Sequence, residues 1–417
     1  MYDIIIIGGG VSGLYNYMKL IKHDSNLKIK LFERNDYFGG RICQYEENTL
    51  GTQYSFPEGA ARFNTNHTKT IKLLESFKLL NTSNEKPNIA SIEFIDSNNQ
   101  FTSKFNNKDG FYYIDIVLKM AAKYSPNELQ QYTFQDFAST FLNKYELSFL
   151  LTASGYSGQL KHMNMKDASV LFSKHIRPDL KYYGGKYHLL IQKLVEFIKK
   201  NKGLLQLNTN IKDVIYHNKK DCFKLIYNNT FCYSKKVIFS VPKNSLLKFS
   251  SLKPIQCILQ NSVSCKPLCR VYAIFKKDDI WFQNINRKVV TNNPLRYIIP
   301  INKENGLIMI SYTDDVYTNY WKNIQHKKKE TKNAIVTLVK KTFNIDINPP
   351  HKVFTFYWDC GVAYWNKNIE SSHTSNYLIN PLPNLFITGE NYSLTQSWVE
   401  GALDTSDKCI DKIIKQL

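Results

Sequence analysis

The residues best suited to chemistry lie near the start of the chain, where three glycines follow a run of isoleucines. Gly8, Gly10 and Gly13 have the spacing GxGxxG and come directly after the apolar residues 4–7. Glycine there permits a tight turn, the approach of backbone to a pyrophosphate, and close packing of a helix on a strand. Glu33 stands twenty residues after Gly13, where a carboxylate can accept hydrogen bonds from ribose hydroxyls. The sequence therefore predicts a dinucleotide site.

Two further motifs favour FAD over NAD as that dinucleotide. Gly39-Gly40-Arg41 follows a second apolar run and resembles the second phosphate-and-flavin contact of flavoproteins with two dinucleotide-binding domains. Far along the chain, residues 384–390 repeat the strand-then-glycine design and end in Gly389-Glu390. Residues 397–402 then have the sequence Ser-Trp-Val-Glu-Gly-Ala.

With these motifs the chain resembles the flavin-containing amine oxidase family, which includes monoamine, polyamine and L-amino-acid oxidases. The resemblance is strongest to the L-amino-acid oxidases. It implies an α/β flavoprotein with two dinucleotide-binding domains, in which an α+β substrate domain is inserted into a Rossmann-like FAD domain. We place the FAD domain at residues 1–78, 181–255 and 352–417, and the substrate domain at residues 79–180 and 256–351.

The resemblance also implies which residues bind FAD. Gly389-Glu390 contacts the ribityl-pyrophosphate, the backbone of Ile211 contacts adenine, and a helix that begins at residue 398 points its N-terminus at the flavin pyrimidine edge. Such a terminus stabilises the negative charge of a reduced flavin. The predicted cofactor-binding residues are Gly8, Gly10, Ser12, Gly13, Glu33, Arg34, Gly40, Arg41, Gly59, Ala60, Ala61, Arg62, Ile211, Gly389, Glu390, Trp398 and Val399.

Two aromatic rings are expected to align the substrate amine in front of the flavin. Members of the family often hold the amine between two such rings, one of them from the Glu-Gly-Ala run, which is Trp398 here. The second ring is Tyr364 or Trp365, because aromatic faces attract a cationic or amine-bearing group. The alternative is that these rings belong to the core.

Arg62 is the candidate for binding a substrate carboxylate. Residues 58–63, Glu-Gly-Ala-Ala-Arg-Phe, resemble the Gly-Ala-Met-Arg stretch of L-amino-acid oxidases, where the arginine lies beside flavin and substrate. A guanidinium suits that role because its fork forms two parallel hydrogen bonds with a carboxylate. A structural or pyrophosphate-facing Arg62 is the alternative. Glu58 is the nearest acidic candidate for binding a polyamine instead.

Two departures from the family pattern affect the chemistry. Monoamine oxidases attach FAD covalently through a cysteine that precedes the second aromatic, but Ala363 precedes Tyr364 here. We therefore expect noncovalent FAD. The family also places a lysine near flavin N5, whereas this chain has Arg270 near that position. Either Arg270 takes the place of the lysine, or reaction with oxygen is weakened.

The elements that must position these residues follow from the apolar periodicity. Residues 3–33 form a predicted strand, helix and strand, with Ile4 to Ile7 as a strand buried on both faces. Further strands are predicted at residues 204–216, 222–227, 236–241, 266–275 and 385–388, a hairpin-like pair at residues 295–312, and a closing helix at residues 398–417. Residues 80–180 contain helical patterning but match the family less specifically.

Composition excludes several classes of protein. The chain has 417 residues, is 43% hydrophobic, and carries a formal charge of +20, but 48 of its 55 basic residues are Lys spread along the whole chain. We interpret this as a solvated surface without a specific nucleic-acid partner. The eight cysteines have no CxxC pair, so neither a structural metal nor a disulfide framework is expected. With no signal peptide or membrane-spanning stretch, we expect a cytoplasmic protein without a membrane partner.

We predict an FAD-dependent amine oxidase that converts an amine, by preference an L-amino acid, to an imine and passes electrons to molecular oxygen to give hydrogen peroxide. Arg62, Trp398, Tyr364 and Arg270 are the candidate catalytic residues, and a homodimer is one possible assembly. A polyamine or monoamine oxidase is the alternative, and a desaturase or protoporphyrinogen-oxidase-like enzyme is a more distant one. From another class, the chain could be a catalytically inert, flavin-binding structural or interaction protein.

Overall fold

The computed structural model describes residues 1–83, 85–86, 92–98, 101, 103–177 and 179–417. Its strands, β1 to β18 in chain order, are Tyr2–Ile7, Ile29–Phe32, Gln44–Thr49, Thr52–Pro57, Arg62–Asn64, Glu85–Lys86, Ile92–Ile95, Tyr182–Gly184, Leu204–Gln206, Ile211–His217, Cys222–Tyr227, Thr230–Phe239, Val263–Ile274, Lys288–Thr291, Tyr297–Asn302, Leu307–Asp314, Lys352–Trp365 and Leu385–Ile387. Its helices, α1 to α15, are Val11–His23, Thr68–Ser76, Gly110–Ala121, Pro126–Leu129, Phe134–Ala138, Lys144–Ala153, Gly158–Lys161, Met165–Lys174, Tyr187–Lys200, Lys243–Leu246, Gln256–Ser262, Thr318–Lys322, Lys328–Phe343, Ser371–Ile379 and Val399–Ile414.

A seven-stranded sheet joins the two ends of the chain. Its order is β10-β11-β12-β1-β2-β9, and β18 also pairs with β12. Strand β1 runs parallel to β12 on one side and to β2 on the other, so that Ile5 lies opposite both Val237 and Lys30. The predicted α/β fold with a Rossmann-like sheet is confirmed, whereas the exact domain boundaries stay a prediction.

The isoleucines of β1 explain why this strand lies at the centre. Ile4 and Ile6 pack with α1, α9 and α15 on one face, while Ile5 and Ile7 belong to a second core cluster on the other face. All four are at most 5% exposed. Alternate side chains of a strand point to opposite faces, so an uninterrupted apolar run is stable only where both faces are covered.

A second, six-stranded sheet forms the opposite wall of the molecule. Its order is β17-β13-β16-β15-β14-β7, and its centre is the long antiparallel pair β13 and β17. Helices α3 to α8 pack on one face, together with Leu268 of β13. Helices α12 and α13 pack on the other face against Cys269, Val271 and Ala273. By this alternation Leu268 and Arg270 lie on the same face as α3 to α8, away from α12 and α13.

A buried polar cluster ties the segments of the first sheet together. The Thr388 hydroxyl, just after β18, accepts hydrogen bonds from the Ser12 hydroxyl at 2.9 Å and the Asn16 amide at 3.0 Å, both on α1. It also lies 2.8 Å from the hydroxyl of Ser240, which follows β12. Ser12 in turn contacts Ser406 of α15 at 2.8 Å. One hydroxyl thus links elements that are far apart in sequence.

The cysteines correct one expectation from the sequence. A disulfide joins Cys265 of β13 to Cys360 of β17, with a Cα to Cα distance of 5.0 Å and a sequence separation of 95. The expectation of no disulfide framework missed this single bond, because neighbouring antiparallel strands bring the two residues together without any local spacing motif. Within the described part of the chain, no helix has the length and apolar character needed to cross a membrane.

The Thr388 cluster leads to a first prediction. Thr388→Val keeps the shape of the side chain but leaves the Ser12 hydroxyl and the Asn16 amide with one partner fewer in a buried setting. We expect the free energy of unfolding to fall by about 2 to 4 kcal/mol, measured by chemical denaturation. Thr230→Val, on an exposed position of β12, is the matched control and should change it by less than about 0.5 kcal/mol. Equal losses in both variants would contradict the role of Thr388.

Candidate active site

One cavity of about 1970 Å³ runs between the two sheets and brings the predicted site residues together. With the exception of Gly13, every residue predicted to bind the cofactor lies in its wall, as do Tyr364 and Arg270. Gly13 lies beneath the wall, where a Cβ atom would come within 2.0 Å of the Gly8 carbonyl oxygen. Gly13 therefore allows α1 to pack closely on β1. The roles of the residues in the cavity wall stay predictions.

The end of the cavity near α1 has the properties of a phosphate site. Helix α1 begins after Gly10, and among the described residues no side chain caps its first amides. Such amides bind anions, with support from the helix dipole. Gly389 faces the same space with φ +125°, and no described heavy atom lies within 4 Å of the position of a Cβ atom there. The open cradle fits the pyrophosphate of FAD.

Glu33 supplies the carboxylate expected at the ribose. It is 6% exposed, and its two oxygens accept hydrogen bonds from the amides of Gly9, at 2.7 Å, and Asn35, at 2.9 Å. A carboxylate has about four lone-pair directions, so two remain for ribose hydroxyls. The two amides fix both oxygens in the cavity wall.

Arg41, which is partly exposed, and the buried Glu390 form an ion pair in the cavity wall. An Arg41 terminal nitrogen lies 2.5 Å from Glu390 and also donates to the Gly361 carbonyl at 3.0 Å. The other Glu390 oxygen accepts the amide of Ser397 at 2.8 Å. Glu390 therefore orients Arg41 and the loop that leads into α15, in addition to its predicted position beside the cofactor.

The N-terminus of α15 also opens into the cavity, through Val399 and Ala402. Glu400, in its first turn, does not cap its own helix but accepts the amides of Lys69, at 3.0 Å, and Thr70, at 2.8 Å. These amides belong to the first turn of α2, so Glu400 joins the two helices. Sequence reasoning did not assign this role, although Glu400 lies inside the Trp-Val-Glu-Gly-Ala motif.

Trp398 packs against the first of two buried histidines that contact each other. The ring of His67 lies 4.6 Å from that of Trp398 in an edge-on arrangement, and 5.3 Å from the ring of His175. Burial, with a smaller effect of His175, lowers the pKa of His67 to about 3. Burial, with a smaller effect of Lys174, lowers the pKa of His175 to about 4. Trp398 therefore packs against one neutral imidazole, that of His67, and the neutral imidazole of His175 lies on His67 in turn.

The structure separates the two candidates for the second aromatic ring. Tyr364 is 3% exposed and packs in a core cluster, but it also lies in the cavity wall. Trp365 is 1% exposed and packs in the core behind the wall, where its indole N–H donates to the carbonyl of Ser393 at 2.9 Å. Tyr364 is thus the ring that can face a substrate, and for Trp365 the core alternative applies.

Beyond the aromatic rings, cationic and phenolic side chains line the cavity. We call this part the tyrosine chamber; it is formed by Arg62, Tyr156, Arg270, Lys288, Tyr297 and Tyr312. The Tyr156 ring lies 4.8 Å from Tyr297 and 5.3 Å from Tyr312. Burial, with a smaller effect of Arg62, lowers the pKa of Lys288 to about 6. Sequence analysis missed Lys288, which nothing distinguishes in a chain with 48 lysines.

Two family models match most of the chain. A model of the flavin containing amine oxidoreductases matches residues 106–409, and a model of the NAD(P)-binding Rossmann-like domain matches residues 6–77. A curated protein of Acanthamoeba polyphaga mimivirus, Uncharacterized protein R188, is 22% identical over 98% of this chain and 93% of its own length.

Solved structures of similar fold include two amine oxidases. A variant of putrescine oxidase from a redesign of its cofactor binding has a TM-score of 0.78 at 14% identity, covering 100% of this chain and 99% of its own. Cyclohexylamine oxidase from Brevibacterium oxydans IH-35A has a TM-score of 0.75 at 16% identity, with coverage of 100% and 99%. At these identities the likeness shows the fold.

The geometry of Glu33 gives a prediction for cofactor binding. The Glu33 carboxylate accepts hydrogen bonds from two backbone N–H groups. Glu33→Gln places an amide NH₂ against one of these N–H groups, and it weakens any hydrogen bond donated by a ribose hydroxyl. We expect affinity for FAD to fall about ten- to a hundredfold, which corresponds to about 1.5 to 3 kcal/mol. Titration of the apoprotein with FAD measures this loss. Glu75→Gln, on an exposed position of α2, is the control and should bind FAD like the unchanged protein.

The buried histidines give a prediction for pH dependence. Below pH 6.5 the unfolded chain binds protons at His67 and His175, whereas the folded chain does not until pH approaches 4 and then 3. The free energy of unfolding should therefore fall as pH drops from 7 to 5, by about 2 kcal/mol for each histidine. His67→Gln should remove about half of this loss in denaturation curves at the two pH values. His326→Gln, at an exposed position, should leave the loss unchanged; an equal effect of both variants would contradict the assignment.

Proposed function

The chain belongs to the flavin-containing amine oxidoreductase family, and from this premise we propose that it oxidises the amine of an L-amino acid to an imine and releases hydrogen peroxide. It is an FAD-dependent oxidoreductase that acts on amines; the predicted family and cofactor are confirmed. The amino-acid substrate and oxygen as electron acceptor are the proposal.

The observation that supports an amino acid is the distribution of charge along the cavity. Among the described residues, the carboxylates in the wall are Glu33, Asp109, Asp359 and Glu390. Glu33 lies at the predicted ribose position, Glu390 is paired with Arg41, and Asp109 and Asp359 are exposed. The tyrosine chamber therefore contains two guanidinium groups, the Lys288 amine and three phenols, and no carboxylate from the described residues. Such a chamber favours a substrate that carries an anion.

In this proposal Arg62 binds the α-carboxylate. It begins β5 and lies in the cavity wall, while the next residue, Phe63, packs in the core. Among the described residues no ion pair includes Arg62. A carboxylate that enters the chamber can therefore take both arms of the guanidinium fork.

Binding in this chamber also prepares the amine. FAD, when bound, supplies the acceptor for hydride from the carbon that bears the amine. The amine must first lose its extra proton, and burial in the chamber favours the neutral amine over the ammonium form. Trp398 and Tyr364 orient the amine by their ring faces, and the dipole of α15 favours negative charge at its N-terminus.

We also propose that FAD is held without a covalent bond. Ala363, at the position where monoamine oxidases carry the attaching cysteine, has no thiol and is fully buried. The nearest cysteine in sequence, Cys360, is bonded to Cys265. The cradle, Glu33 and the two helix N-termini then hold the cofactor by hydrogen bonds and electrostatics alone.

A polyamine is the second candidate, because putrescine oxidase shares the fold. A second ammonium group needs an acidic partner in the chamber, and Glu58 was the candidate for it. Glu58 is not among the residues of the cavity wall, and burial raises the pKa of its carboxyl, which faces Cys43. The chamber therefore suits a polyamine less well than an amino acid.

Anaerobic bleaching of the flavin by a substrate panel tests the proposal. L-Amino acids should reduce the flavin, and Arg62→Ala should slow that reduction about ten- to a hundredfold at low substrate, because a charge-assisted bidentate pair is worth about 1.5 to 3 kcal/mol. Arg62→Lys should recover only part of the rate, since an ammonium lacks the fork. Arg177→Ala, an exposed arginine paired with Asp179, is the control and should leave the rate unchanged.

Two different results would contradict the amino-acid proposal. Bleaching by putrescine or spermidine but by no amino acid, with the rate untouched by Arg62→Ala, would replace the amino-acid proposal with the polyamine one. A flavin that stays oxidised under every amine would support the inert, flavin-binding alternative.

A further inference from the structure

We propose that Arg270 forms a second anion site in the tyrosine chamber, and that the substrate is an amino acid whose side chain carries a second acidic group. This inference rests on the proposed function and narrows it to a class of substrate. Arg270 would bind the side-chain carboxylate while Arg62 binds the α-carboxylate.

The surroundings of Arg270 are those of a cation that lacks its anion. The residue is 6% exposed and points from β13 into the cavity wall. One terminal nitrogen donates to the Pro57 carbonyl and the other to the Tyr312 hydroxyl, both at 3.3 Å, and the guanidinium lies 4.5 Å from the centre of the Tyr312 ring. None of the ion pairs among the described residues includes Arg270. Burying a charge without a counter-ion costs free energy. A ligand that brings an anion to Arg270 recovers much of that free energy when it binds.

The groups beside Arg270 complete a carboxylate site. Tyr312 lies against the guanidinium, and the Tyr156 ring lies 5.3 Å from that of Tyr312. Phenol O–H groups are good donors to a carboxylate. A guanidinium flanked by hydroxyl donors matches the two oxygens of one carboxylate better than it matches an apolar side chain. The site is therefore polar where a hydrophobic amino acid would need an apolar surface.

Two cations from different parts of the fold meet in this chamber. Arg62 comes from β5 and Arg270 from β13, yet both lie in the wall of the same cavity. Burial raises the pKa of Tyr272, and the positive charges of Arg270 and Arg62 both oppose that effect. A substrate with one carboxylate compensates one guanidinium and leaves the other buried without an anion. A substrate with two carboxylates compensates both, which is the electrostatic reason for the proposed class.

Pairs of substrates that differ only in this charge give the test. L-Glutamate against L-glutamine, and L-aspartate against L-asparagine, have nearly the same shape, and we expect the acidic member to reduce the flavin at least tenfold faster at low concentration under anaerobic conditions. Arg270→Gln should bring this ratio close to one by slowing the acids, and Arg270→Lys should restore part of it. Arg177→Gln, outside the cavity, is the control and should keep the ratio.

A binding measurement provides a second readout that does not depend on turnover. Glutarate, which has two carboxylates and no amine, should raise the melting temperature of the FAD-bound protein more than butyrate does at equal concentration. The difference should disappear in Arg270→Gln. If that variant does not fold, the substrate pairs and the two acids on the unchanged protein decide the question.

Three results would overturn the inference in distinguishable ways. If amides bleach the flavin as fast as acids, or glutarate stabilises no more than butyrate, the second anion site is wrong while the amino-acid proposal stands. If Arg270→Gln slows acids and amides equally, Arg270 serves the reaction in general and not the side chain. If only amines without carboxylates bleach the flavin, both proposals fail together.

Discussion

The contact between the backbones of α1 and β1 at Gly13 is the constraint on which the cofactor end depends. A Cβ atom at Gly13 would lie 2.0 Å from the Gly8 carbonyl oxygen, so only glycine lets the helix lie this close to the strand. That closeness directs the amides after Gly10 into the cavity. It also brings Ser12 and Asn16 within hydrogen-bond distance of Thr388, and α15 packs beside α1 as a result. Phosphate binding and the assembly of distant segments thus share one geometric requirement.

The predictions from the sequence were most accurate for elements that are specified by residues close together in the chain. The strand, helix and strand expected within residues 3–33 are present as β1, α1 and β2, because apolar periodicity and glycine spacing specify such a unit by themselves. The predicted motifs also meet in one cavity wall, since the ends of parallel strands share an edge. What was missed depends on contacts across the chain. The Cys265–Cys360 bond, the Glu400 contact with α2 and the burial of Lys288 have no signature in spacing or composition, because each is created when separate elements pack.

The cavity is divided electrostatically along its length. Near α1 its acidic groups are engaged, Glu33 by two amides and Glu390 by Arg41, so this end offers positioned dipoles and one satisfied ion pair. At the far end Arg62 and Arg270 are cationic and their neighbours are phenols. The aromatic residues Trp398 and Tyr364 belong to the same wall. One cavity can therefore bind a dinucleotide and a small anionic molecule through different electrostatic interactions.

The order of strands in the first sheet has a consequence for synthesis of the chain on the ribosome. Ser12 and its partner Thr388 are 376 residues apart, and at about 5 to 20 residues per second the ribosome needs about 20 to 75 s to make the chain between them. During that time α1 exposes an apolar face that α15 later covers. The phosphate cradle is also incomplete until Gly389 is made. FAD can therefore bind only late in synthesis of the chain. Before that point the exposed apolar face of α1 is a surface that chaperones would need to cover.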